Sequence, residues 1–198
     1  GTIGVLRALK GPEVFLCGCR VILDRIPAAR FLMAGDGPLR REVRDLQEKL
    51  GLAEAMHLLG HREDVADVMA ALDVFVSSSL GGEINPQAVS QAMAMGIPVV
   101  ASALAGMREQ AREGETALLF PPGNAAALAD AVCQLLADEA ARRRLAERAR
   151  AEVCEAYTLE RMLDRMERIY LDEMARCRGG SAGRTAPRAA DPGEAVRR

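Results

Sequence analysis

Six short runs of apolar residues recur along the first 120 positions, with amphipathic segments between them. The apolar runs lie near 3–7, 30–35, 55–59, 73–78, 98–102 and 117–120, and helical patterns lie near 12–26, 38–50, 63–71, 86–95 and 106–112. Nearly continuous apolar strands that alternate with helices are typical of a parallel sheet covered on both faces. The pattern therefore predicts an α/β fold with a doubly wound, parallel, six-stranded sheet.

Extra helices are predicted after the last strand. Asn124 can cap a helix that runs to about Asp138, a charged helix follows, and a last helix begins at Leu159. Apolar residues recur at helical spacing in this last helix and form a stripe that requires a partner surface, namely Leu159, Met162, Leu163, Met166, Ile169, Tyr170 and Met174. Packing of the stripe on its own domain is one interpretation. Residues 177–198 have no apolar period and are predicted to be a disordered tail after a domain at 1–176.

The segment SSSLGGEINPQAVSQAMAMGIPVVAS, at 77–102, leads from an apolar strand through a glycine turn into a helix. Asn85 can cap this helix, and Pro86 fits its first position. Glu83 lies in the same loop, which belongs at the carboxyl end of a strand, where open parallel sheets bind ligands. The free N–H groups and the dipole of a first helical turn favour a phosphate or diphosphate. A phosphorylated ligand is the hypothesis, and an ordinary strand-turn-helix connection is the alternative.

Gln87 and Gln91 lie one turn apart on a helix that is otherwise apolar. An apolar helix is expected to be buried, so these amides need hydrogen-bond partners. The partners are either backbone carbonyls or the hydroxyls of a bound sugar.

Composition limits the function classes. The chain has 198 residues, 49% of them hydrophobic, and a net charge of −2, which suits one domain-sized core. With no Trp, two Tyr and four Phe, it lacks the basic stripe and aromatic platform of a nucleic-acid binder. No apolar run has the length of a membrane span. Five cysteines without metal-ligand spacing indicate free thiols in a reducing compartment, which predicts a cytoplasmic protein.

Two further patterns carry weak chemical signals. His57 and His61 are four residues apart, but Gly60 and the strand-like MHLLG argue against one helical face, and there is no Asp-x-Asp pair, so neither a metal nor another cofactor is predicted. Gly35 and Gly37 follow a strand as in a dinucleotide fingerprint, but Arg40 stands where the third glycine belongs. The two glycines are expected to serve a turn.

The run from Glu83 to Gln91, followed by AMAMGIPVVAS, resembles the donor-site signature of the family 4 retaining glycosyltransferases of GT-B fold. That signature has two glutamates separated by seven residues, and Gln91 stands in place of the second. GVLRALKG, RFLMAGDGPLR, HLLGHREDV and AGMREQAREGETALLFPPGN agree with the family in order and spacing over about residues 2–175. The resemblance implies the Rossmann-like, C-terminal, donor-binding half of a GT-B fold.

The resemblance also implies roles for individual residues. Glu83 would hydrogen-bond the hydroxyls of the donor sugar. The stretch of Asn85, Pro86 and Gln87 would meet the sugar and the diphosphate through backbone amides. The second glutamate of the family holds the ribose; Gln91 in its place can accept a hydrogen bond through its carbonyl oxygen, but without a charge.

A diphosphate clamp is implied at the first loop. Lys10 matches the family's lysine, whereas Val5 stands at the position of the family's arginine. Arg7 is close in sequence, yet on a strand it would share the face of Val5. Lys10 and Glu83 are the catalytic candidates, and the alternative for Lys10 is a solvated lysine at the end of a strand.

Other donor contacts are implied at three places. Arg62 matches a position that approaches the nucleobase, often through backbone atoms. Gly35, Asp36 and Gly37 match the loop after the second strand, and Glu109 matches a glutamate near the donor. For Arg62 and Glu109, a surface position without a role is the alternative.

The implied activity is transfer of a hexosyl group from a nucleotide-diphosphate sugar to a hydroxyl of a saccharide or lipid-linked acceptor, with retained anomeric configuration, as in polysaccharide biosynthesis. In the family, the terminal helix crosses back to an N-terminal acceptor domain, so packing on that domain is the other interpretation of the apolar stripe. That domain is missing from this sequence, so we expect a fragment that is inactive alone. Attachment to the inner membrane face through the missing domain is compatible with a cytoplasmic location. A sugar-nucleotide epimerase of GT-B fold and a non-catalytic nucleotide-binding module are the rival hypotheses, and the base, sugar and acceptor stay open.

Overall fold

The computed structural model describes residues 1–82 and 86–179. The chain divides into two compact units, one of residues Gly1–Tyr157 and one that begins at Thr158. The first unit contains every strand of the described residues. It therefore contains the whole sheet on which a ligand site of the predicted kind would be built.

The six predicted strands are all present; five are shorter than predicted, and the third is shifted by one residue. They are β1 (Thr2–Ile3), β2 (Phe31–Ala34), β3 (Met56–Gly60), β4 (Phe75–Ser77), β5 (Val99–Ser102) and β6 (Leu118–Phe120). All pairs are parallel, in the orders β1-β2-β3 and β4-β5-β6. The two groups meet at Gly1, whose amino group donates to Val74 O at 2.9 Å and whose carbonyl accepts from Val76 N at 2.8 Å. The strands thus follow the order 3-2-1-4-5-6, and the predicted doubly wound sheet is confirmed.

The first strand is shorter than its apolar sequence predicts. β1 ends at Ile3, and the N–H of Arg7 donates to the carbonyl of Val5 at 2.8 Å in a tight turn. A short 3-10 helix, Ala8–Lys10, follows. The prediction that Val5 and Arg7 share one face of a strand is wrong, because a strand-like sequence is bent here by its own backbone hydrogen bond.

The helices of the first unit cover both faces of the sheet. They are α1 (Pro12–Arg25), α2 (Arg40–Lys49), α3 (Val65–Ala70), α4 (Gln87–Ala94), α5 (Ala105–Gln110), α6 (Ala125–Ala137) and α7 (Glu139–Ala156). The predicted cap of α6 is confirmed, because the side-chain oxygen of Asn124 accepts from Ala127 N at 3.0 Å.

Two apolar clusters form the core. The neighbours Phe75 and Val76 of β4 belong to different clusters, so the clusters lie on opposite faces of the sheet. Burial raises the pKa of the Cys19 thiol on α1, and burial followed by the charge of Glu13 raises that of Cys17. All five cysteines are unpaired. The buried thiol of Cys19 serves packing rather than nucleophilic chemistry.

The second unit consists, in its described part, of the helix α8 (Leu159–Gly179). The eight large apolar side chains of α8 are all exposed, namely Leu159, Met162, Leu163, Met166, Ile169, Tyr170, Leu171 and Met174. The predicted boundary at 176–177 falls inside this helix, and the rest of the predicted tail lies outside the described residues. Across 1–82 and 86–179, every helix is too short or too polar to cross a lipid bilayer.

Candidate functional site

A pocket lies where the strand order reverses, between the carboxyl ends of β1 and β4. We call it the switch-point pocket. Its lining comes from the loop after β1, the serines that end β4 and the first turn of α4, and it includes Val5, Leu6, Lys10, Ser77, Ser78, Ser79, Pro86, Gln87 and Ala88. Open parallel sheets bind their ligands at this crevice, because the loops there diverge in opposite directions. Lys10, Pro86 and Gln87 are the predicted site residues that this pocket brings together.

The first turn of α4 presents its backbone to the pocket. Pro86 occupies the N-cap position with an extended backbone, φ −72° and ψ 96°, and the helix begins at Gln87. The prediction that Pro86 takes the first helical position is therefore wrong by one residue. The carbonyl of Pro86 accepts from Val89 N at 2.9 Å, and the N–H groups of Gln87 and Ala88 precede this first intrahelical donor. Such N–H groups favour an anion in the pocket.

The two glutamines of α4 are not buried. Gln87 and Gln91 are both exposed, while Val89, Ala92 and Met93 form the buried face of α4. The expectation that an apolar helix buries these amides is wrong, because the small residues of α4 narrow its buried face. Solvent or a ligand in contact with the exposed face can satisfy the amides.

Glu83 and Asn85 lie outside the described residues. The predicted sugar contact of Glu83, the predicted cap at Asn85 and the amide of Asn85 therefore stay predictions.

A second pocket adjoins the first and shares Leu6 and Met33 with it. We call it the β2–β3 pocket, and it is lined by Leu6, Met33, Gly35, Arg40, Val43, Arg44, Leu58 and Gly60. Gly35 is the predicted donor-binding residue in this lining. A Cβ atom on Gly35, whose φ is +136°, would lie 1.8 Å from the carbonyl oxygen of Gly4, so no other residue fits this close approach of two loops.

The side chain of Asp36 holds the rest of the loop after β2. The carboxylate of Asp36 accepts from Gly37 N at 2.7 Å and from Nη1 of Arg40 at 2.8 Å. A Cβ atom on Gly37 would lie 2.6 Å from Leu6 O. The expectation that Gly35 and Gly37 serve a turn agrees with this geometry, and Asp36 fixes the turn.

Arg62 and Glu109 lie outside the linings of both pockets. The guanidinium of Arg62 is paired with the carboxylate of Asp64, the main cause of a raised pKa at Arg62 and a lowered pKa at Asp64. Glu109 is exposed, and its carbonyl accepts from the hydroxyl of Tyr157 at 3.4 Å. The ion pair uses Nε and Nη2 of Arg62.

Sequence reasoning missed the part that Ser78 plays at the site. The serines at 77–79 were visible as a polar run after an apolar strand, but nothing in that run indicates which hydroxyl faces the loop of Lys10. The structure places Ser78 against that loop, with its hydroxyl on the carbonyls of Lys10 and Gly11.

Metal chemistry receives no candidate from the described part of the chain. Across 1–82 and 86–179, no group of three or more His, Cys, Asp or Glu residues is arranged to hold a metal ion. Among the described residues that line the switch-point pocket, Lys10 is the one with a positive charge.

Comparison with solved structures identifies the fold. The Anabaena protein HepE, solved in complex with UDP and glucose, is similar with a TM-score of 0.72 and 25% identity, over 78% of this chain and 43% of HepE. The C-terminal domain of a group 1 glycosyl transferase, LpcC from Francisella tularensis, is similar with a TM-score of 0.70 and 21% identity, over 80% of this chain and 86% of that domain. The expected Rossmann-like half of a GT-B fold is thereby confirmed.

Comparison of sequences identifies the family. The N-acetyl-alpha-D-glucosaminyl L-malate synthase of Bacillus anthracis is 32% identical over 144 residues, which are 73% of this chain and 38% of that relative. The chain thus spans less than half the length of this relative. The family model described as "Glycosyl transferases group 1" matches residues 1–138. The chain therefore belongs to the group 1 glycosyl transferases.

Proposed function

We propose that this chain is the donor-binding half of an enzyme that transfers a sugar from a nucleoside diphosphate to an acceptor hydroxyl. One observation carries the proposal: Lys10 and the amino end of α4 line the same pocket at the switch point of the sheet. A lysine and a helix amino end together suit a diphosphate. HepE, which is similar to this chain, was solved with UDP and glucose, and this supports a UDP-linked donor.

The chemistry follows from where charge develops. As the glycosidic bond breaks, the leaving diphosphate gains negative charge. Lys10 and the N–H groups of Gln87 and Ala88 would stabilise that charge, and one well-aimed donor is worth about 3 kcal/mol in the transition state. Glu83 would orient the sugar through its hydroxyls.

The finer assignments extend this proposal. We propose membership of family 4, hexosyl transfer and retained anomeric configuration, in keeping with the resemblance of the run from Glu83 to Gln91. Gln91 would bind the ribose, and Gly35, Asp36 and Gly37 would border the nucleotide side of the cleft. Arg62 would approach the base and Glu109 the donor.

An N-terminal acceptor domain would complete the enzyme. This chain corresponds to only 38% of the Bacillus anthracis relative, which leaves room for such a domain in a full-length protein. The exposed apolar side chains of α8 would pack against it. The acceptor would be a saccharide or a lipid-linked sugar, and the enzyme would act in the cytoplasm or at the inner membrane face.

The test joins a binding and a turnover measurement. This chain is titrated calorimetrically with UDP and GDP, and the complete protein is assayed with UDP-sugars while nuclear magnetic resonance follows the anomeric configuration of the product. We expect UDP to bind this chain and the complete protein to form a glycoside with retained configuration.

Other outcomes discriminate between the hypotheses. An epimerised nucleotide sugar without a glycoside would support the epimerase. UDP binding without turnover across a panel of acceptors would support a non-catalytic module. Absence of nucleotide binding would contradict the proposal as a whole.

A further inference from the structure

The hydroxyl of Ser78 connects two loops that line the switch-point pocket, the loop after β4 and the loop of Lys10. Ser78 is 3% exposed, and its Oγ lies 2.9 Å from the carbonyl oxygen of Gly11 and 3.2 Å from that of Lys10. The hydroxyl of Ser78 thus meets the carbonyls of the last residue of the 3-10 helix and of the glycine that follows it. The carbonyl of Gly11 also accepts from Phe15 N at 3.2 Å. Because Ser78 is buried, its hydroxyl finds its hydrogen-bond partners in these carbonyls rather than in solvent.

A second bond joins the same two loops. The N–H of Leu80 donates to the carbonyl of Leu9 at 2.7 Å. Leu9 precedes Lys10, and Leu80 follows Ser78 by two residues. The turn of Lys10 is therefore attached to the loop after β4 on both sides of the lysine.

The backbones approach closely at this junction. Gly11 has φ +59°, and a Cβ atom there would lie 2.1 Å from the carbonyl oxygen of Ser78. Such contact is open only to glycine. The backbones of Ser78 and Gly11 are thus in close contact directly beside Lys10, and the hydroxyl of Ser78 bonds at the same junction.

We propose that Ser78 is a positioning residue that holds the Lys10 turn where the ammonium group meets the donor diphosphate. The inference rests on the proposed function. Lys10 is exposed on a short turn, and ordering a side chain and its backbone around an anion costs conformational entropy. By fixing the backbone beforehand, Ser78 lowers the part of that cost that falls on the turn.

The test removes the hydroxyl in the 198-residue chain and measures UDP affinity by calorimetry. Ser78→Ala is expected to weaken UDP binding about fivefold, the size of one neutral hydrogen bond. Ser102→Ala is the matched control, because Ser102 is 1% exposed and its Oγ has no partner among the described residues. This control should leave UDP affinity within twofold of the parent chain, which corresponds to about 0.4 kcal/mol.

A double-mutant cycle separates positioning from general damage to the fold. In a Lys10→Ala background, Ser78→Ala should cause no further loss of UDP affinity, because the group that Ser78 positions is gone. Ser78→Thr keeps the hydroxyl and should retain more affinity than Ser78→Ala, even where both lower the melting temperature. An equal loss from Ser78→Ala in both backgrounds would overturn the inference.

Failure of this inference is distinguishable from failure of the proposed function. UDP binding that Lys10→Ala weakens and Ser78→Ala leaves unchanged would overturn the role of Ser78 alone. A parent chain that does not bind UDP would overturn both.

Discussion

The guanidinium of Arg62 is held by Asp64, the residue two positions later, with Nε of Arg62 2.7 Å from Oδ1 of Asp64. The pair lies in the loop between β3 and α3, directly after the edge of the β2–β3 pocket at Gly60. Both side chains are partly exposed, so the pair orders a loop rather than stabilising the core.

This ion pair gives a pH dependence of known sign. The hydrogen bond from Arg62 lowers the folded-state pKa of Asp64. The stability that Asp64 contributes is therefore present above its unfolded-state pKa and is lost as the pH falls through the lower folded-state value. Arg62→Gln should raise the pKa of Asp64 towards its ordinary value, as followed by carboxyl chemical shifts. Arg20→Gln, which breaks a similar exposed pair with Asp24, should leave the titration of Asp64 unchanged. An unchanged pKa of Asp64 in Arg62→Gln would contradict the assignment of the lowered pKa to Arg62.

Gly11 should tolerate no side chain. In Gly11→Ala, the methyl group would meet Ser78 O at 2.1 Å and the residue would keep a positive φ, so loss of stability has two causes. Gly114→Ala is a matched control, since Gly114 has φ +73° and nothing within 4 Å of its Cβ position. We expect about 1 kcal/mol of destabilisation from Gly114→Ala, and about 2 kcal/mol more from Gly11→Ala. Urea unfolding measures both, and equal losses would show that the loops separate to make room.

The amide of Gln110 should make Ser90 important to stability. Nε2 of Gln110, which is 4% exposed, donates to Oγ of Ser90 on α4. Ser90→Ala leaves that buried donor without its acceptor and should cost about 1–3 kcal/mol. Ser102→Ala removes a buried hydroxyl that has no partner in the described part of the chain and should be neutral or stabilising. Thermal unfolding of the two variants, compared with the parent, checks the order, and a reversed order would refute it.

The strands and most helices followed from the apolar pattern because a doubly wound sheet buries its strands on both faces. Phe75 and Val76 illustrate this, since neighbours on β4 must both be apolar when each enters a separate core. The end of the first strand was not predictable, because nothing in the residues at 4–7 indicates the hydrogen bond from Arg7 N to Val5 O.

The candidate site was predictable in its parts more than in its assembly. Lys10 and Gln87 were named because their segments resemble the motifs of a known family, and the strand, glycine turn and helix start before Gln87 also leave a local pattern. The exposure of Gln91 and the contact of Ser78 with Gly11 depend on how distant loops pack, and 67 positions separate those last two residues. Local patterns do not encode such contacts.

Lys10 should contribute to turnover through direct contact with the donor diphosphate rather than through the general positive charge of the protein. Lys10→Ala in the complete enzyme should lower kcat at least tenfold, which corresponds to about 1.4 kcal/mol in the transition state. Arg7→Ala removes a nearby exposed cation that does not belong to the lining of the switch-point pocket, and it should leave kcat within twofold. Steady-state kinetics at two salt concentrations compare the variants. Equal losses in both would indicate a long-range field, and a normal rate in Lys10→Ala would remove it from the catalytic candidates.

Substitution by glutamate should change UDP affinity in opposite directions at the two glutamines of α4. Gln91 is exposed one turn after Gln87, which lines the switch-point pocket at the start of the helix. Gln91→Glu places a carboxylate where the ribose hydroxyls are proposed to lie, and a charged acceptor binds hydroxyls more strongly than an amide oxygen. Gln87→Glu places the same charge beside the proposed diphosphate, where it opposes the anion.

We therefore expect Gln91→Glu to tighten UDP binding about threefold and Gln87→Glu to weaken it about tenfold, as shifts of roughly 0.7 and 1.4 kcal/mol. Calorimetric titration of the 198-residue chain measures both variants. Titration with uridine in place of UDP provides the control, because the loss from Gln87→Glu should then vanish while the gain from Gln91→Glu remains. If both variants weaken UDP binding equally, added charge alone explains the result, and Gln91 does not face the ribose.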